Sequence, residues 1–179
     1  MKILVPLAEG FEEIEAITII DTLRRAGIYV YIASLLSGSV KGSHGVELVP
    51  DGVLSDQMDY DAIVLPGGMP GSTNLKKDGR VIKLLKDISA KGGLTAAICA
   101  APIVLAEAGL LDGKKYTCYP GYEEEIKGGQ HLLEPVVADG NVITGQGAAC
   151  ALPFALRIVE YYKGKDVALK LKEQMMAFW

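Results

Sequence analysis

Two histidines, His44 and His131, and three cysteines, Cys99, Cys118 and Cys150, are all that 179 residues offer for imidazole or thiolate chemistry. The cysteines are odd in number and widely spaced, with no Cys-x-x-Cys pair, so neither a disulfide framework nor a metal motif is expected, and no cofactor is implied. Apolar runs of membrane-spanning length are missing, because Gly, Pro or a charge interrupts each candidate. An excess of positive charge is missing too: 18 Lys and Arg against 22 Asp and Glu give a net charge of −4, which leaves no basic face for nucleic acid. The chain opens on a strand-like stretch at 2–7 followed by Glu9, Glu12, Glu13 and Glu15, unlike the apolar segment of a secretory leader. These absences predict a cytoplasmic protein with reduced thiols and with no membrane or specific nucleic-acid partner.

What is present has the pattern of a layered α/β chain. Hydrophobic residues make up 50% and charged residues 22%, over a length that closes a core without staples, so 1–179 is expected to be one domain. Short apolar runs alternate with helical periodicity, as in a mostly parallel sheet with helices on both faces, a three-layer sandwich. Strands are predicted at 3–7, 28–33, 62–65 and 94–98, with an extended stretch at 115–119. Helices are predicted at 13–26, stopped by Gly27, and at 81–91, 100–111, 149–162 and 166–176. Gly38, Gly42 and Gly45 break 37–50 into a small antiparallel excursion, and Asp139-Gly140-Asn141 marks a hairpin. The glutamate-rich stretch 121–129 reads as a short exposed helix or a loop.

Cys99 falls where the run 94–98 meets a helix-like run, which puts its thiol on a sharp strand-to-helix turn. Helix-start amides and the macrodipole favour a thiolate at such a place. On the first helix, Glu15 heads the stripe Glu15, Ile19, Leu23, Ala26 at the spacing of a buried face, so its carboxyl is expected to point inward with a raised pKa. In open α/β sheets ligands bind beyond the carboxyl ends of the strands, the edge to which both residues belong. Pro66-Gly67-Gly68 ends a central strand at that edge. Combined with Cys99 and Glu15, the Gly68 and Ala100 amides form an oxyanion hole with Gly67 lining the pocket. Of the neighbours Cys118 and Tyr119 only one faces the pocket, and Tyr119 is assigned to it, with Cys118 packed on the other face. Cys150 reads as a small helix-start residue, and His44 and His131 as solvated loop histidines.

Four ordered motifs carry a resemblance. They are Leu7-Ala8-Glu9-Gly10-Phe11-Glu12-Glu13-Ile14-Glu15, Arg24-Arg25-Ala26-Gly27, Val64-Leu65-Pro66-Gly67-Gly68 and Ala96-Ala97-Ile98-Cys99-Ala100-Ala101-Pro102. In these the chain resembles the ThiJ/PfpI superfamily, in the branch of the Parkinson-disease-associated deglycase. The resemblance implies a flavodoxin-like α/β sandwich, a homodimer, and an oxidation-prone cysteine on a strained elbow. Carried over by position, Cys99 is the nucleophile, Glu15 its carboxylic-acid partner, and Gly68 and Ala100 the amide donors. Arg25 matches the family pattern, and His44 stands where a relative has an arginine near the pocket. Two departures bear on chemistry: Tyr119 replaces a histidine that some members place before the equivalent of Pro120, and Ala100 replaces the histidine that peptidase-like members place after the cysteine. Without that base a peptidase is not expected. The function expected is a cysteine-dependent, cofactor-free glyoxalase or deglycase acting on methylglyoxal, glyoxal or their early adducts, including glycated substrates. The alternative is a redox-sensing stress protein or chaperone that oxidises Cys99. Homodimerisation draws further support from Ile14, Ile17 and Ile20, more apolar surface than one buried stripe requires.

Overall fold

Along the strand at 62–65 every residue is buried, and alternate side chains enter different cores: Ala62 and Val64 one, Ile63 and Leu65 the other. A strand buried on both faces belongs at the centre of a sheet with helices above and below. The computed structural model, which describes residues 1–57 and 59–178, has that architecture. In chain order its elements are β1 (Lys2–Leu7), α1 (Glu13–Arg25), β2 (Tyr29–Ser34), β3 (Val40–Lys41), β4 (Glu47–Leu48), β5 (Gly52–Val53), β6 (Ala62–Leu65), α2 (Gly71–Lys77), α3 (Gly79–Ala90), β7 (Leu94–Ile98), α4 (Pro102–Glu107), β8 (Lys115–Tyr116), β9 (Gln130–His131), β10 (Val136–Asp139), β11 (Val142–Gly145), α5 (Ala151–Lys163) and α6 (Lys165–Gln174). Seven strands form one sheet in the order β10-β11-β7-β6-β1-β2-β5, parallel except for β10.

One core lies under α1, α5 and α6 and includes Ile19, Leu23, Phe154, Ile158 and Leu171; the other lies under α2, α3 and α4 and includes Leu75, Leu85, Ile88 and Val104. This is the flavodoxin-like three-layer sandwich. Its central strands β1, β6 and β7 run parallel, so their carboxyl ends, and the connections that leave them, share one edge. The excursion between β2 and β5 is the antiparallel pair β3–β4, and the hairpin β10–β11 turns at Gly140, whose φ of +63° is the left-handed conformation such turns demand.

Several boundaries differ from the sequence expectation. The helix predicted through Leu111 ends as α4 at Glu107, because Gly109 turns left-handed (φ +75°) and the Leu110 amide donates back to the Leu105 carbonyl at 2.9 Å. Helix α3 begins two residues before the predicted start at Val81, where the Asp78 carboxylate accepts the Arg80 amide at 2.9 Å. Helix α2 and the short strands β5 and β9 have no apolar period of their own, and sequence reading passed over them. The extended stretch at 115–119 pairs only through Lys115 and Tyr116, and within 121–129 a 3₁₀ turn forms at Tyr122–Glu125. Among the described residues no helix is long and apolar enough to cross a membrane.

Candidate active site

Three connections meet at the carboxyl edge of the sheet, and each delivers one part of the site. From β7 the chain turns at Cys99, which sits at φ +64°, a left-handed conformation that an L side chain adopts at a cost of about 1–3 kcal/mol. Both of its backbone groups are tied: the Cys99 amide donates to the Gly145 carbonyl at 2.9 Å, and its carbonyl accepts the Tyr119 amide at 2.8 Å. The elbow is therefore held from β11 on one side and from the segment after β8 on the other. The thiol is half-buried.

From β6 the chain leaves through Gly67 and Gly68. Glycine is required at Gly67 by space: a Cβ there would lie 2.6 Å from the Cys99 Cβ and 2.7 Å from Glu15 Oε2. Gly68 takes φ +89° and packs against the start of α1, where a Cβ would meet the Glu12 nitrogen at 2.3 Å. From β1 the chain enters α1, and Glu12 caps it by accepting the Glu15 amide at 2.7 Å while its own amide donates to the Gly67 carbonyl at 2.9 Å. The buried stripe predicted on α1 is present: Glu15, Ile19 and Leu23 are each 0% exposed.

Glu15 Oε2 accepts the Gly67 amide at 2.7 Å, whereas Oε1 is buried with no hydrogen-bond partner among the described residues. Burial pushes this carboxyl up to about 7, against the Gly67 amide and the Cys99 thiol, which favour the anion; Glu12 adds to the rise. Burial also pushes the Cys99 thiol up to about 12, with the Glu15 carboxylate adding to the rise and the Ala100 and Gly68 amides opposing it. The resting thiolate expected from a helix start is thus corrected. Helix α4 is only six residues long and begins at Pro102, so what remains of its field at Cys99 is outweighed by desolvation and a neighbouring negative charge. The contribution from Glu15 disappears once that carboxyl holds a proton, so the two groups titrate as a pair.

Other predicted residues fall in different places. Tyr119 is 51% exposed and stands at the mouth, edge-on to Tyr122 with ring centres 6.4 Å apart. Tyr122, which sequence reading missed, is close enough to Cys99 for the sulfur's charge to raise its pKa, after burial the next cause of the shift. Its signal was faint: a tyrosine in a glutamate run, turned inward by Gly121 at φ +97°. His44 is exposed, but it is paired rather than solvated, with Nδ1 on Glu13 Oε2 at 2.9 Å and its amide on Glu13 Oε1 at 2.6 Å. Its ring reaches the start of α1 through Glu12 and Glu13. Arg25 does not join the pocket within this chain. It ends α1, ten residues and about 15 Å beyond Glu15, and pairs with Asp21 at 2.7 Å. Cys118 is 0% exposed in the opposite core, as expected, and Cys150 caps α5. His131, predicted as a solvated loop histidine, lies on β9 against the Tyr116 ring. Ile20 is buried, so of the three extra isoleucines on α1 only Ile14 and Ile17 remain exposed. A groove of about 660 Å³ between β10, α5 and α6 shares no lining residue with the Cys99 site.

A mostly parallel α/β sheet that turns a cysteine through a left-handed elbow beside a buried carboxyl defines a class of α/β proteins with a cysteine at a strand-to-helix elbow. Within that class, the chain belongs to the DJ-1/PfpI family, whose model matches residues 1–161. It is 44% identical over 168 residues to protein dj-1beta of Drosophila melanogaster, covering 91% of this chain and 90% of that one. It is 38% identical over 162 residues to the glutathione-independent glyoxalase DJR-1.2 of Caenorhabditis elegans, covering 88% and 86%. The Arabidopsis thaliana DJ-1 homolog B is 39% identical, and there the chain spans 40% of the relative's length. Among solved structures, oxidized Toxoplasma gondii DJ-1 superposes with a TM-score of 0.94 at 38% identity, covering 99% of both chains.

The raised carboxyl has a sign that can be measured. In the folded chain Glu15 keeps its proton to about pH 7, whereas an unfolded glutamate loses it near 4.5. The resulting stabilisation is complete below pH 4.5 and is lost as pH rises through 7, about 3 kcal/mol in all. Urea unfolding from about pH 4 to about pH 8 should show the parent losing this much relative to Glu15→Gln. Parallel pH profiles for the two would mean that Glu15 is not a raised acid.

Proposed function

We propose that the chain is a cofactor-free glyoxalase, with the deglycase reaction on early 2-oxoaldehyde adducts as its extension. The observation that carries this reading is the Glu15 carboxyl: buried, raised to about 7, and with one oxygen, Oε1, that accepts no hydrogen bond among the described residues. Such an oxygen is a seat for a mobile proton beside a nucleophile. A relative named as a glutathione-independent glyoxalase supports the same reading.

In the proposed reaction the Cys99 proton passes to Glu15 and the sulfur adds to the aldehyde carbon of methylglyoxal, forming a C–S bond and a hemithioacetal alkoxide. The Gly68 and Ala100 amides, already directed at the sulfur, receive the oxyanion. Glu15 returns that proton to the alkoxide, giving the hemithioacetal, and as a carboxylate again takes the C1 hydrogen as a proton to form an enediolate; the C1 hydroxyl proton passes to the C2 oxygen and the acid form of Glu15 protonates C2, so C1 is oxidised and C2 reduced without an external oxidant. Water then cleaves the 2-hydroxyacyl thioester, releasing lactate and the thiol. Tyr119, where the family resemblance places a histidine in some members, brings no imidazole to the site, so turnover is slow. Following lactate from methylglyoxal, Cys99→Ala should abolish turnover, Glu15→Gln should lower kcat by about 10²–10⁴-fold, and Cys118→Ser should retain it. Equal rates in parent and Cys99→Ala would remove the assignment.

A second reading rests on the same elbow and on a close structural relative described as oxidized. Two equivalents of peroxide carry Cys99 through the sulfenic to the sulfinic acid, each step transferring one oxygen to sulfur and releasing water, and protonated Glu15 donates a hydrogen bond to the product anion. Under mild peroxide, mass spectrometry should find two added oxygens on Cys99, with Cys118 unmodified and Glu15→Gln less oxidised. Equal oxidation of all three cysteines would exclude sensing.

Exposed Ile14 and Ile17, 60% and 47% accessible on α1, support assembly with a second copy. Sedimentation at micromolar concentration should show a dimer that Ile17→Asp converts to monomer; a monomeric parent would end that expectation.

A further inference from the structure

Behind the elbow, in the opposite core, three side chains that the reaction above does not use converge. Cys118 Sγ, a Glu123 carboxylate oxygen and a His131 ring nitrogen all lie within 4.8 Å of one another. We propose that they form a zinc site, closed by water at a fourth position, that braces the segment between β8 and β9.

Each ligand is held by a different device. Cys118 is 0% exposed and packs into the core under α3 and α4, on the other side of the sheet from Cys99. Glu123 stands on the 3₁₀ turn Tyr122–Glu125, where its Oε2 accepts the Gly121 amide at 2.6 Å and faces Cys118 Sγ at 3.9 Å. His131 is paired to Tyr116 across β8–β9 and lies against that ring at 5.4 Å between centres. Its Nε2 is buried, yet it has no hydrogen-bond partner among the described residues. A buried polar atom left unpaired costs about 1–3 kcal/mol, which coordination to an ion held with the neighbouring thiol and carboxylate would relieve.

The donor set selects the ion. Thiolate, imidazole and carboxylate are the ordinary ligands of zinc, and three protein ligands leave one position for water. Two anionic ligands and one neutral one balance a divalent charge. Bonds of about 2.0–2.3 Å make the edge of a zinc tetrahedron about 3.5 Å. Closing from 4.8 Å therefore asks for shifts of roughly an ångström, available to Glu123 and His131, which are both only partly buried. On binding, the Cys118 proton leaves for solvent as the S–metal bond forms. No spacing motif announces this trio, because its members come from the segment just after β8, a 3₁₀ turn and β9. The residue after Cys118 is Tyr119, whose amide holds the Cys99 carbonyl, so the brace also steadies the mouth of the catalytic elbow.

The test is cobalt(II) titration of the full chain, since Co²⁺ occupies zinc sites and reports its ligands spectroscopically. One equivalent should give a near-ultraviolet thiolate-to-cobalt charge-transfer band with tetrahedral visible bands, and Zn²⁺ should displace it. The band should persist in Cys99→Ala and vanish in Cys118→Ser. In Glu123→Gln and His131→Gln, whose positions are partly exposed and whose folding circular dichroism can verify, affinity should fall beyond the about 10–100-fold typical of losing a supporting residue. Absence of the band in the parent, its survival in Cys118→Ser, its loss in Cys99→Ala, or unchanged affinity in both folded surface variants would each overturn the site.

Discussion

The hydrogen bond from the Gly67 amide to Glu15 Oε2, 2.7 Å long, joins two of the three chain segments on which the site is built. It crosses from the turn after β6 to the first turn of α1, and the Cys99 side chain packs against the same glycine. An ionised carboxyl at 0% exposure with one amide donor is under-solvated, since carboxylates held far below the ordinary range accept two or three such bonds. The fold therefore keeps Glu15 poised between acid and anion near neutrality, and any side chain larger than hydrogen at Gly67 would push the carboxyl and the sulfur apart. The strained elbow at Cys99 is stable for a related reason. Its amide and carbonyl are spoken for by Gly145 and Tyr119, so relaxing φ would break two backbone hydrogen bonds.

Proton sharing between Glu15 and Cys99 reconciles a reactive role with a thiol raised to about 12. An isolated thiol that weakly acidic is a poor nucleophile. Here most of what opposes the thiolate is desolvation and the charge of Glu15, and the second vanishes when the proton moves across. Reactivity then belongs to the pair rather than to the sulfur, which stays protected while the carboxyl is ionised. Some relatives put a histidine where this chain has Tyr119. In its absence the carboxyl is the group within reach that can exchange a proton at neutral pH.

Much of this arrangement was legible in the residue order. The short, almost unbroken apolar runs at 62–65 and 94–98 marked strands covered on both faces, and the spacing Glu15, Ile19, Leu23 placed a carboxylate on a buried face without any structure. Both are local patterns that backbone geometry translates directly into position. What stayed hidden depends on tertiary context. The sign of the thiol shift is a contest between desolvation and amide donors, and no local pattern weighs them. Arg25 lies in the motif that follows Glu15, but ten residues of helix carry it to the other end. His131 and Glu123 look like surface residues until β9 pairs with β8 and folds the glutamate turn back on Cys118. Helix α2 has one buried apolar side chain, Leu75, and no stripe to announce it.

Three glutamates within four residues show how far environment, rather than residue type, decides chemistry. Glu12 is a cap, tied to the Glu15 amide and to Gly67. Glu13 is 7% exposed and burial alone would raise it, yet the His44 ring and amide, with Val46, hold it down to about 2. It is a permanent anion that anchors the β3–β4 turn, and the same pairing raises the His44 ring above its ordinary value. Glu15 meets one donor and lies among hydrocarbon, so it is held up to about 7. The two carboxyls contribute to stability in opposite pH windows: Glu13 loses its contribution as pH falls toward 2, Glu15 as pH rises through 7. A single helical turn thus separates a structural anion from a proton store, because one side chain points at a polar turn and the other at the back of a sulfur.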